Sequence, residues 1–169
     1  MLKLFGVIFI IAGCGGVGFR LAANHKKEER TIRQLIEIID FMACELQYRL
    51  TPLPDLCREV AKQFPSTLSD VFSELALEMD AQLFSDMSIC MAVVLNKNRT
   101  LPQISRSQLE LLGKSIGRFD LEGQLKGLNT VCEECKRKLK ILANNRESRL
   151  RSYQTLGLCA GAALAILLI

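Results

Sequence analysis

LKGLNTVCEECKRKLKILANNRESRLRSYQTLGLCAGAALAILLI, residues 125–169, is the stretch on which the fold turns. Leu125, Leu128, Cys132, Cys135, Leu139 and Leu142 alternate at three and four, the spacing of a heptad seam along one helix. The seam fails at Arg146 and Arg149, after a basic run from Lys136 to Arg151. From Leu156 to Ile169 there is no charged residue. The periodicity predicts one long helix, begun near Leu121, that starts in water and ends in lipid.

A second uncharged stretch lies at the other end, Leu4 to Phe19. Crossing a bilayer takes about 20 apolar residues. Both stretches are somewhat short of that length and flanking residues extend them, so the chain is expected to divide into a transmembrane helix at 2–23, a helical domain at 24–152 and a transmembrane helix at 153–169. Tyr153 is of the type that sits at headgroup level. Gly157, Gly161 and Ala165 recur every four residues, as do Ala12 and Gly16, a pattern that lets helices approach closely in lipid. Arg20, Lys26, Lys27, Arg30 and Arg33 follow the first segment, and the basic run precedes the second, against Lys3 alone on the outer side. The excess of Lys and Arg on the inner side predicts that the domain is cytoplasmic and both termini outside. An alternative starts from Ile11-Ala12-Gly13-Cys14, which resembles a lipoprotein processing box. The chain would then be an exported lipoprotein or a membrane-anchored helical binding protein held through Cys14. Against it, Val17 and Phe19 beyond Cys14 are apolar again, and export puts the basic run on the wrong side of the membrane.

Inward from the first segment, Ile32, Leu35, Ile36, Ile39, Met42, Ala43, Leu46 and Leu50 mark one face of a helix. Thr51-Pro52 stops it, because the residue before a proline leaves the helical region. Thr51 can cap the next helix with Pro52 at its first position. That helix runs from Leu53 to Phe64 and breaks at Pro65-Ser66. A third carries Leu68, Val71, Phe72, Leu75, Leu77 and Met79. A fourth, from about Ser85 to Lys97, carries Met87, Cys90, Met91, Val94 and Leu95 and is interrupted by Asp86. Ser105 with Gln108 forms a capping-box pattern that opens a fifth helix, through Leu109, Leu111, Leu112 and Ile116 to Gly117. No stretch alternates at period two. The fold class is all-α: an antiparallel bundle whose long first and last helices extend into the two membrane segments.

With 169 residues, 49% of them apolar, and a net charge of +4, the chain is one domain plus its anchors. Its seven cysteines are scattered, unlike a disulfide-stapled secreted domain. Cys132-Glu-Glu-Cys135 has no second pair to complete a zinc site, and both cysteines sit on the seam, where they act as small apolar residues. The basic run lacks interleaved aromatic residues, so it points to membrane lipids rather than nucleic acid. There is no phosphate-binding glycine loop and no nucleophile paired with a base. No catalytic, metal or cofactor site is expected.

Glu45-Leu46-Gln47-Tyr48-Arg49-Leu50-Thr51-Pro52-Leu53 resembles a signature of the stage III sporulation protein AB family. Leu112-Gly113-Lys114-Ser115-Ile116-Gly117-Arg118-Phe119-Asp120 with Gln124 resembles its second block, and Tyr153, Leu156-Gly157-Leu158, Gly161 and Ile166-Leu167-Leu168 a third. Cys14 and the Cys132/Cys135 pair are not part of the family pattern. The resemblance implies a protein of endospore-forming bacteria in the mother-cell membrane facing the forespore. It would be one component of a secretion-like channel, similar to inner-membrane platform proteins of type II secretion and type IV pilus machines. The implied partners are other stage III sporulation channel proteins and a cytoplasmic hexameric secretion ATPase; a second copy of the chain is a further candidate. Glu45, Tyr48, Thr51, Pro52, Gly113, Gly117, Asp120 and Gln124 are the residues expected either to meet a partner or to pin turns.

Overall fold

The computed structural model describes residues 26–82, 86–117 and 120–168, with side chains up to residue 144. The regular elements among them are all helices: α1 over residues 26–48, then α2 Leu53–Gln63, α3 Thr67–Asp80, α4 Met87–Lys97, α5 Gln103–Ser115 and α6 Leu121–Leu168. The all-α expectation holds.

Local chemistry sets most boundaries. Pro52 is the N-cap of α2, and Pro54 stands in its first turn, where a missing N–H costs nothing. Thr51 therefore does not cap α2, contrary to the sequence reading. Ser66 starts α3 by accepting the Leu68 N–H at 3.2 Å. Asp86 starts α4 by accepting the Ser88 N–H at 3.0 Å. It is a cap, not an interruption, and α4 begins after it rather than at Ser85. The capping box at Ser105 and Gln108 is also corrected. Pro102, with φ −58°, starts α5 earlier, and both residues are buried inside the helix.

Successive helices run antiparallel. Between α4 and α5, the Arg106 guanidinium donates to the carbonyls of Leu95 and Asn98 at 2.7 and 3.2 Å. Further along, Gly113 stands against Met91 and Gly117 against Met87. Between α5 and α6, Ser115 faces Gly127 and Gln108 faces Cys135. Between α2 and α3, the Ser69 hydroxyl donates to the Ala61 carbonyl at 2.9 Å, and Arg58 pairs with Asp80. The Cys132 thiol lies 3.4 Å from Asp40 Oδ1 and joins α6 to α1.

This path gives the bundle two unlike ends. The near end holds the start of α1, the α2–α3 connection and the α4–α5 connection: Lys27 Nζ donates to the Thr100 carbonyl at 3.4 Å, and Lys26, Lys27 and Arg30 share a cleft with Pro65, Ser66 and Thr67. The far end holds the α1–α2 corner, the start of α4 and the α5–α6 corner. At 48 residues, α6 is about 70 Å long. It starts at the far end and runs past the near end. Among the described residues no helix is long and apolar enough to cross a membrane. The expected segment at 2–23, Cys14 included, lies outside the described residues. The segment at 153–169 is helical in its backbone to Leu168, and its side chains, with any packing role of Gly157, Gly161 and Ala165, lie outside the description.

The core is one cluster that draws on every helix. Ile32, Leu35, Ile38, Ile39 and Met42 of α1 are fully buried, as are Phe72 and Leu75 of α3, Met91 and Leu95 of α4, and Leu128, Val131 and Cys135 of α6. Each such aliphatic or aromatic side chain contributes about 1.5–3 kcal/mol. The α6 seam thus faces its own bundle. Two expected core residues are outside it: Leu77 is 64% exposed and Leu50 67%. Burial pushes the thiols of Cys57 and Cys135 up to about 12. It also raises that of Cys132, with Asp40 adding to the effect. These thiols behave as apolar packing, while Cys44 is exposed.

Helices α4 and α5 approach closely at Gly113, where a Cβ would sit 2.8 Å from Met91 Cβ and 3.1 Å from its Cγ. The clash falls near the Met91 backbone, so rotation of the side chain cannot relieve it. Gly113→Val is expected to lower the unfolding free energy by about 2 kcal/mol or more, read as a reduced urea midpoint of the detergent-solubilised chain. A midpoint equal to wild type would show that α4 and α5 separate freely.

Candidate partner-binding tip

The α1–α2 corner is built around one carboxylate. The last turn of α1 closes with the Arg49 N–H on the Glu45 carbonyl at 3.0 Å. Thr51 then reaches back, and its hydroxyl donates to Glu45 Oε2 at 3.1 Å. The Arg49 guanidinium lies 3.4 Å from Oε1 of the same carboxylate; the Arg49 side chain is well exposed, while that of Glu45 is largely covered. Glu45 therefore pins the turn through Thr51, while Arg49 adds little. Pro52 holds its own φ near −57° and directs the chain into α2.

This geometry leaves Leu50 at φ +53°. Leu50 occupies the position after the helix end where glycine is usual, because an L side chain there costs about 1–2 kcal/mol. It is also exposed, and Tyr48 beside it is 79% exposed. Tyr48 thus takes no part in pinning the turn. The corner spends conformational strain to present two apolar side chains to the outside.

The α5–α6 corner is adjacent. Gly117, at φ +88°, ends α5 in the left-handed conformation that glycine adopts without penalty. Asp120 Oδ1 accepts the Gly123 N–H at 3.1 Å, and its carbonyl accepts the Gln124 N–H at 2.9 Å, which starts α6. Gln124 is half-buried in that first turn. Gly113, by contrast, is inside α5 and serves packing, so it ends no helix.

The two corners meet. A Cβ on Gly117 would be 3.8 Å from Leu53 Cδ1 and 3.2 Å from Met87 Cβ. Glu45, Tyr48, Thr51, Pro52, Gly117, Asp120 and Gln124 are therefore gathered at the far end, and Gly113 lies one helical turn below. Leu121, also exposed, adds a third apolar side chain beside Gly117 and Asp120. Sequence reasoning missed Leu50, since its spacing continues the apolar face of α1. The signal that marks it is the Thr-Pro pair directly after it. Leu121 carries no such signal.

Two substitutions separate pinning from display. Thr51→Val keeps the shape but removes the donor to Glu45, and should lower the unfolding free energy by about 1–2 kcal/mol. Tyr48→Ala should stay within about 0.5 kcal/mol of wild type. Both are read from denaturant midpoints; equal losses would place Tyr48 in the folded framework.

A family model, Stage III sporulation protein AB, matches residues 3–169. A relative named Stage III sporulation protein AB from Bacillus subtilis (strain 168) is 26% identical over 171 residues, covering 99% of each chain. A solved structure of a stage III sporulation protein AB superimposes with a TM-score of 0.64 at 22% identity, over 72% of this chain and 98% of that one. That last similarity concerns the fold.

Proposed function

We infer the role of the chain from one premise: it belongs to the stage III sporulation protein AB family, and its role is in sporulation. It is an assembly protein rather than an enzyme. It sits in the mother-cell membrane facing the forespore, as a platform component of a channel-like secretion complex shared with other stage III sporulation proteins. Its segments at 2–23 and 153–169 cross the membrane, and the domain at 24–152 stands in the cytoplasm. Its far end receives a hexameric secretion-type ATPase.

One observation carries the ATPase contact. Leu50 takes a strained backbone conformation and its side chain is left in solvent beside Tyr48. Folding alone favours glycine there, so the apolar side chain has a use outside the fold. An exposed Tyr next to an arginine is the material of an interface core, and Leu50 adds apolar area beside it. The position is suitable as well: the tip is at the opposite end from the start of α1 and the outgoing part of α6, so a partner docked on it stays clear of the bilayer. The excess of Lys and Arg beside both end segments supports the cytoplasmic side.

Sidedness is tested at Cys44, which is exposed, in a variant with every other cysteine replaced by serine. A membrane-impermeant maleimide should label it only after cells are permeabilised. Labelling of intact sporulating cells would refute the cytoplasmic domain and leave the exported, Cys14-anchored protein as the account to test.

Coupling is tested by binding of the full chain, in lipid nanodiscs, to the purified sporulation ATPase. The double variant Tyr48→Ala/Leu50→Gly should weaken binding at least about 10-fold, which corresponds to roughly 1.4 kcal/mol, with an unfolding midpoint at or above that of wild type, because glycine relieves the strain at position 50. Unchanged affinity would move the contact away from the tip.

A further inference from the structure

The near end carries a feature that assembly through the tip does not use. Lys26, Lys27, Arg30, Thr31 and Gln34 of α1 face Ser66 and Thr67 at the start of α3 across an open cleft of about 460 Å³. Among the described residues the lining has three cationic side chains and no carboxylate. Lys26 and Arg30 are exposed. Lys27 is held toward the cleft end of α1 by its bond to the Thr100 carbonyl. Glu29, on the same stretch of helix, does not line the cleft and pairs with Arg33 at 3.1 Å. Asp70 is in the first turn of α3 but also lies outside the lining.

The hydroxyls point the same way chemically. Ser66 Oγ accepts the Leu68 N–H, so its proton is available to donate outward. Thr67 is exposed beside it. The first turn of α3 adds partial positive charge to a site already made by the α1 cations. The cleft therefore offers donors and positive charge to one ligand class, a compact oxyanion.

We propose that this cleft binds the headgroup phosphate of an anionic phospholipid at the membrane surface. The inference rests on the reading above that the segments at 2–23 and 153–169 enter the bilayer, which sets the near end against the headgroups. Lys26 and Arg30 embrace the phosphate, Ser66 and Thr67 donate to it, and Lys27 couples the bound lipid to the α4–α5 connection. The site acts as a wedge between α1 and the α2–α3 connection and sets the angle at which the bundle stands on the membrane. The basic run before Tyr153 meets the same surface through diffuse charge; the cleft adds a defined site.

The test titrates phosphatidylglycerol into the full chain in nonionic micelles and follows the unfolding midpoint. Phosphatidylglycerol should raise the midpoint, while phosphatidylcholine and inorganic phosphate at equal concentration should not. Lys26→Gln/Arg30→Gln should require at least about 10-fold more phosphatidylglycerol for the same shift, from an unchanged midpoint in lipid-free micelles. Arg146→Gln/Arg149→Gln/Arg151→Gln should keep the wild-type titration. A Lys26/Arg30 variant that titrates like wild type overturns the cleft. A full response to inorganic phosphate makes it a site for a soluble anion and overturns the lipid assignment. Carbonate extraction of cell membranes keeps the two readings apart: a chain released by carbonate refutes the membrane insertion beneath the proposal, whereas a retained chain with an unaltered variant titration refutes the cleft alone.

Discussion

Everything else in this fold depends on α1 and α6 lying side by side with their outer ends at the same end of the bundle. Ile32, Leu35, Ile38, Ile39 and Met42 have to leave water, and so do Leu128, Val131 and Cys135. One core accepts both stripes only if the two helices share it, and the contact between Asp40 and Cys132 joins them directly. The four shorter helices fill the remaining sides by turning back on one another. Their corners then alternate between two ends, and the described part of α1 begins at the end where α6 leaves the bundle.

That constraint divides the labour between the ends. The far end has no helix continuing out of it, so its corners are free to present side chains. Glu45 and Thr51 make the α1–α2 corner stiff, and the stiffness forces Leu50 into the left-handed region with its side chain outward. The near end collects cations instead, because the start of α1 and the α2–α3 connection come together there. A bundle that is apolar-tipped at one end and basic at the other is polarised along its axis.

Core cysteines belong to the same account. Cys132 and Cys135 are spaced like a reactive pair, yet burial raises both thiols, and that of Cys135 reaches about 12. Their spacing reflects the period of the seam they occupy rather than redox chemistry. Gly113 is a similar case: its place in a signature block suggests a helix end, while its role is to let α5 pass against Met91 of α4.

Much of this was legible from residue order alone. The helices, their apolar faces and the breaks at Thr51-Pro52 and Pro65-Ser66 follow from periodicity and from the proline ring, which act within a few residues. So do the roles of Gly117 and Asp120 at the α5–α6 corner, because turn and cap chemistry is equally local. Residue order went wrong where a local pattern met a competing neighbour. Ser105 and Gln108 match a capping box, but Pro102 starts the helix first and the core takes both side chains. Leu50 and Leu77 keep the spacing of a buried face, but the chain has turned away or no helix covers them. The tertiary structure alone decided that Leu53 meets Gly117 and that Lys26 and Arg30 face Ser66 and Thr67. These pairs are far apart along the chain, and only the packing of whole helices against one core brings them together.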